Sequence, residues 1–141
     1  MRYLVLVSHG TLAQGVHSVL KMLVGDNEQI LSASLEDGMG APEFVERLEH
    51  VLEVVADDDE VLLLGDIVGG SPLTNAMNVL AGRGLLDHAV VMGGMNLPMA
   101  MTAVMQLQTA DVASLKQAML DEARTGAREI VIETDDEEED L

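Results

Sequence analysis

The apolar run Leu4-Val5-Leu6-Val7 ends abruptly in Ser8-His9-Gly10. Such a short, continuous run suits a strand covered on both faces, as in a parallel sheet. A second run, Val61-Leu62-Leu63-Leu64, ends in Gly65-Asp66-Ile67-Val68-Gly69-Gly70-Ser71-Pro72. A weaker strand is expected over 29–35, a fourth over 88–92, and a short last one over 129–132. Between them lie stretches of helical periodicity. Leu12, Val16, Val19, Leu20 and Leu23 mark one stripe, and Phe44, Leu48, Val51, Leu52 and Val55 a second. Ser71 as N-cap with Pro72 at the first helical position opens a helix to about Ala81. Two further helices are expected over 98–107 and 112–124.

Strand and helix alternate, so the expected fold class is α/β: a mostly parallel, doubly wound sheet with helices on both faces. The chain of 141 residues suits one domain, read as residues 1–132, followed by an acidic tail over 133–141 that is expected to be disordered. Tyr3 and Phe44 are the only aromatic residues, so the core must be aliphatic, with the 10 methionines filling gaps.

Charge narrows the partners. The net charge is -18, and residues 133–140 hold seven acidic side chains. Setting those aside still leaves 18 acidic against 7 basic residues. Nucleic acid binding draws its affinity from Lys and Arg on phosphates, and is excluded as an expectation. Docking on anionic membranes is excluded in the same way. A protein partner with a basic face fits the charge, and so does plain solubility. There is no cysteine, hence no disulfide framework. No apolar stretch has the length of a membrane span, and the N-terminal run is too short for a secretory signal. A cytoplasmic protein is expected.

In a parallel sheet the loops Ser8-His9-Gly10, Asp66 to Ser71 and Gly93 to Asn96 open at one edge. That edge is where open α/β sheets bind ligands. The groups converging there are an imidazole, a carboxylate, a hydroxyl and the free N–H groups of a helix start. They suit phosphoryl transfer through a histidine. A neutral imidazole is nucleophilic near pH 7, and a carboxylate on its other nitrogen fixes the tautomer. Gly69 and Gly70 allow backbone to approach a phosphate, and the helix opening at Ser71 presents its positive end.

Each part also has a plain explanation. His9 could be a loop residue, Asp66 a turn residue, Ser71 and Asn96 helix caps, and the glycine pair a tight turn. The combination carries the inference. Neither glycine pair is a P-loop, because Gly-Lys-Ser/Thr is absent. His17, His50 and His88 look incidental: off its helix's apolar stripe, beside another stripe in solvent, and at the wrong end of a strand. No two histidines have zinc-like spacing, so neither a metal nor another cofactor is expected.

Val7-Ser8-His9-Gly10, Gly65-Asp66-Ile67-Val68-Gly69-Gly70-Ser71-Pro72-Leu73-Thr74-Asn75 and Gly94-Met95-Asn96-Leu97-Pro98-Met99 occur in that order. Over about residues 2 to 132 the chain resembles the IIA component of the mannose-family phosphoenolpyruvate-dependent sugar phosphotransferase system. The resemblance implies strand order 2-1-3-4 plus a last antiparallel strand, here 128–132, exchanged between the subunits of a homodimer. It implies that His9 takes a phosphoryl group from the histidine phosphocarrier protein and passes it to a IIB component, upstream of the IIC and IID membrane components. Asp66 then corresponds to the carboxylate bonded to the histidine, and Ser71 to the phosphate-contacting serine. Gly69, Gly70 and Asn96 are the further candidates for holding the phosphate. No IIB segment accompanies the motifs, so that partner is expected on a separate chain.

Three other readings compete. A phosphoryl-donor subunit of a dihydroxyacetone kinase resembles this fold but differs where Gly-Gly-Ser-Pro stands. A signalling receiver domain would need an acidic pair after the first strand, where Ser8-His9 stands. A regulatory module would keep the His9 chemistry and lack a IIB acceptor.

Overall fold

A computed structural model describes residues 1–133. The elements follow in the order β1 (Arg2–His9), α1 (Leu12–Val24), β2 (Ile30–Leu35), α2 (Ala41–Val51), β3 (Glu60–Gly65), α3 (Ser71–Gly82), β4 (Val90–Met92), α4 (Leu97–Met105) and α5 (Val112–Thr125). Short 3-10 turns at Leu52–Val54 and Leu86–His88 precede β3 and β4.

The sheet has order β2-β1-β3-β4, and its three pairings are all parallel. Side chains alternate across it. Leu4, Leu6, Leu62 and Leu64 pack with residues of α1, α4 and α5. Tyr3, Val5, Val7, Val61 and Leu63 pack with residues of α2 and α3. The two apolar runs are fully used, because each face of β1 and β3 has its own core. Phe44 of α2 is fully buried among the second set; truncating so large a core side chain to alanine typically costs about 3–5 kcal/mol.

From β1 the chain moves outward to β2, then crosses back to β3 on the other side of β1. The order therefore reverses between β1 and β3. A crevice opens outside the carboxyl ends of two strands at such a point. His9 closes β1 and Asp66 follows β3, so the two flank that crevice.

Several expectations shift. Helix α1 buries Ala13, Val16 and Leu20, while Leu12 and Leu23 are exposed. The small Ala13 lets the helix start close to the sheet, and this turns the larger leucines outward. Ser71 is not the N-cap of α3: Gly70 holds that position and Ser71 is the first helical residue. The helix before α5 ends at Met105, and β4 begins only at Val90 because Leu86–His88 winds into a 3-10 turn.

The expected last antiparallel strand is not part of this sheet. Residues 127–133 join no element, and Ile130 and Ile132 are 84% and 86% exposed. A run this apolar needs a strand edge beside it and cover on its faces, and the fold of a single chain brings it to neither. The tail expected from Glu133 onward lies, after that residue, outside the described residues.

Candidate functional site

Ser8, at the end of β1, is fully buried and accepts the Ala13 backbone N–H at 2.7 Å. This ties the strand's end to the first turn of α1 and holds the segment between them. His9 is thereby the first side chain beyond the core, and its ring is 46% exposed.

Asp66 meets it from β3. Its Oδ2 accepts the His9 backbone N–H at 2.9 Å and lies 3.0 Å from the ring Nδ1. Its Oδ1 accepts the Ile67 backbone N–H at 3.0 Å. The carboxyl is only 12% exposed. Burial alone would raise its pKa. The His9 backbone N–H, the His9 ring hydrogen bond and charge, and its own backbone amide outweigh burial and leave the pKa below the usual value. Asp66 therefore stays ionised, and a carboxylate can only accept. In the neutral imidazole Nδ1 then carries the proton, which leaves Nε2 with its lone pair free.

The loop after Asp66 is shaped for close approach. Gly70 N–H reaches back to the Ile67 carbonyl at 3.1 Å, and Gly69 has φ +78°. This is a type II turn, whose third residue needs positive φ. Gly70 has a second reason to lack a side chain: a Cβ there would lie 2.9 Å from His9 Cε1. The imidazole edge thus rests on the Gly70 backbone, at the entry to α3. The first N–H groups of a helix have no partner within it and carry a partial positive charge. Pro72 donates none and the Thr74 N–H bonds the Gly70 carbonyl, so Ser71 and Leu73 carry the free N–H groups of this first turn.

The loop after β4 is laced to the same edge. Gly94 and Met95 N–H groups bond the carbonyls of Asp66 and Gly65 at 3.2 and 2.9 Å. Yet Asn96 is engaged elsewhere. Its side chain accepts the Met99 N–H at 3.0 Å as the cap of α4, and its amide donates to the Ala123 carbonyl at 2.8 Å. The geometry accounts for Asn96 as a cap that joins α4 to α5.

The structure therefore brings together His9, Asp66, Gly69, Gly70 and the start of α3 at Ser71, and occupies Asn96 with structure. It adds Asn75, whose Nδ2 is 2.9 Å from both the Ser71 carbonyl and the Ser71 Oγ. An asparagine four residues after a serine on a helix shares its face, and that spacing was the available signal. His50 and His88 are exposed and remote from the pair in sequence and fold. His17 is half-buried, with Nδ1 2.8 Å from Ser32 Oγ. Among the described residues no helix is long and apolar enough to cross a membrane.

Known proteins are similar to this chain in sequence and in fold. The mannose-specific EIIAB component of the phosphotransferase system of Escherichia coli (strain K12) is 28% identical over 102 residues, which are 72% of this chain and 31% of that protein. The fructose-specific EIIA component of Bacillus subtilis (strain 168) is 27% identical over 94 residues, 67% of this chain and 62% of that one. The matched region thus spans about a third of the first relative and under two thirds of the second. Among solved structures, the mannose/sorbose-specific IIA subunit from Enterococcus faecalis superposes with a TM-score of 0.78 at 23% identity, covering 94% of this chain and 97% of that one. The phosphotransferase component EIIA from Streptococcus agalactiae gives 0.77 at 23%, covering 92% and 97%. These two likenesses establish the fold. The family model described as the PTS system fructose IIA component matches residues 3–120, a span that holds all three loops of the site, and the chain accordingly belongs to the mannose-family IIA components of the sugar phosphotransferase system.

Proposed function

We propose that this chain is a phosphoryl relay in which His9 Nε2 accepts a phosphoryl group from the histidine phosphocarrier protein and passes it to a histidine of a IIB component. The observation that supports this most is the double hold of Asp66 Oδ2 on the His9 backbone N–H and Nδ1, at 2.9 and 3.0 Å. It sets the tautomer, orients the ring and leaves one nitrogen as nucleophile.

In the forward step the Nε2 lone pair attacks the phosphorus of the carrier's phosphohistidine. The carrier's N–P bond breaks and its electron pair returns to the carrier's imidazole. The His9 ring keeps its Nδ1 proton and gains positive charge, which the Asp66 carboxylate balances. The transferred oxygens carry negative charge, suited to the free N–H groups at the start of α3 and to the Ser71 hydroxyl. The onward step reverses these roles toward the IIB histidine. Both steps exchange one N–P bond for another, so no cofactor is required.

Residues 1–132 form the relay domain in this reading, and it acts in the cytoplasm ahead of the IIC and IID membrane components. It works as a homodimer that exchanges residues 128–132. Two features support the exchange. Strand β4 is an edge strand beside a groove of about 370 Å³ lined by Val90, Val91, Met92, Lys116 and Leu120. The segment that would fill it, with Ile130, Val131 and Ile132, is exposed.

The test is phosphorylation with phosphoenolpyruvate, enzyme I and the phosphocarrier protein. One acid-labile phosphoryl group per chain is expected. His9→Ala abolishes it, and substitutions at His17, His50 and His88 leave it. Labelling that survives His9→Ala overturns the reading.

A further inference from the structure

Asn75 lies one helical turn beyond Ser71 on α3, beside the groove between α2 and α3. Its Nδ2 is 2.9 Å from the Ser71 carbonyl oxygen and 2.9 Å from Ser71 Oγ. A carbonyl oxygen only accepts, so the side turned to Ser71 is the NH2 group. That group therefore also donates to Oγ.

A hydroxyl has one proton and two lone pairs. Here one lone pair is filled by Asn75, and the proton must point away from it. A serine inside a helix usually gives that proton to the carbonyl four residues back. Ser71 is the first residue of α3, so the residue four back, Ile67, lies in the turn before the helix and not one helical turn below it. The hydroxyl is left with a proton and an outward direction. Gly70, the residue before Ser71, holds the Cε1 edge of His9 against its backbone, next to Nε2 in the ring.

We propose that Asn75 is a positioning residue: by donating to Ser71 Oγ it holds the Ser71 hydroxyl as a hydrogen-bond donor toward a phosphoryl group on His9 Nε2. This rests on the relay reading above. Asn75 itself touches neither the phosphoryl group nor the imidazole. Its donation also polarises the hydroxyl, and chained hydrogen bonds strengthen one another.

The test is a double-mutant cycle on the rate of phosphoryl transfer from the phosphocarrier protein to the full chain, with thermal unfolding followed in parallel. Asn75→Leu keeps the volume and removes the donor without adding charge. It should slow transfer by about two- to tenfold, the range of one neutral hydrogen bond. Ser71→Ala should slow transfer at least as much. In the Ser71→Ala background, Asn75→Leu should have no further effect, because Asn75 acts through Ser71. A purely structural role would lower the unfolding temperature and slow transfer in both backgrounds alike. If Asn75→Leu does not fold, Asn75→Ala carries the same cycle. Wild-type rates in both Asn75 variants, or losses that multiply with Ser71→Ala, overturn the proposal and leave the relay standing. Failure of the unaltered chain to be labelled at His9 overturns the relay and this role with it.

Discussion

One oxygen of Asp66 grips His9 twice, accepting the backbone N–H at 2.9 Å and facing the ring Nδ1 at 3.0 Å. The first contact pins the main chain at the end of β1, and the second pins the ring that grows from it. An asparagine side chain in this place would have the same shape but could turn its NH2 group to Nδ1. That would drive the proton to Nε2 and remove the nucleophilic lone pair. Asp66→Asn should therefore slow phosphoryl transfer by about ten- to a hundredfold, as for loss of a charged hydrogen bond. Quench-flow labelling reads the rate, and circular dichroism should show the fold retained.

The same pair gives an acid limb to stability. The folded carboxyl has a lowered pKa, so as pH falls the unfolded chain takes up this proton first. Its stabilisation is complete above the unfolded value of about 3.9 and is lost as pH falls through the lower folded value. Urea unfolding across that range should show a shallower acid loss in Asp66→Asn than in the unaltered chain.

Gly70→Ala tests the close approach. The new Cβ would lie 2.9 Å from His9 Cε1 and 3.3 Å from the Ile67 carbonyl oxygen. Backbone φ is not the obstacle, since Gly70 is extended at −72°. The ring must swing away, which strains its bond to Asp66. Transfer should fall by about tenfold or more, because displacements near 1 Å are that costly to aligned groups. Overpacking should lower stability by roughly 1–3 kcal/mol. Imidazole nitrogen shifts in NMR spectra would register the displaced ring.

Much of this site was legible in the sequence, and the reasons differ by residue. His9 and Asp66 each follow an unbroken apolar run, and two such short runs suit central strands of a covered sheet. Their meeting follows from topology. Strand order 2-1-3-4 was legible only through the family resemblance, since periodicity carries no neighbour information. Ser71 stands one position inside the expected cap, because Ser-Pro reads equally well as cap-then-first-turn or as the first turn itself. The type II turn at Gly69 decided it by delivering Gly70 as the cap. Asn96 offered the same ambiguity, and there the cap prevailed. The partners of Asn96 and Asn75 are set by helix phase, which residue spacing defines loosely.

His17 lies off the apolar stripe expected of its helix, yet the structure half-buries it. It packs against β2, with Nδ1 2.8 Å from Ser32 Oγ. Burial, and then the charge of Lys21, hold its pKa below the usual 6.5. The unfolded chain therefore binds this proton at higher pH than the folded one. Stability from this source is complete above about 6.5 and declines as pH falls through the lower folded value. His17→Gln should flatten the stability profile in that window, measured by urea midpoints, while labelling of His9 continues.

The segment at 129–132 carries the last prediction. Ile130, Val131 and Ile132 are 84%, 68% and 86% exposed, and three adjacent apolar side chains in water are a liability for a single chain. Strand β4 offers the three residues Val90–Met92 to β3, and among the described residues its outer edge is unpaired. An exchanged strand would remedy both defects at once, since it pairs that edge and covers the groove against α5. Ile130→Asp places a charge where such a strand must be dry on one face or the other. It should shift the protein from dimer to monomer at micromolar concentration, read by light scattering on a sizing column. Because His9 lies on β1 and its partners in the loop between β3 and α3 of the same chain, the monomer should still accept a phosphoryl group. A dimer that withstands Ile130→Asp and Val131→Asp together would rule out exchange of this segment as the means of association.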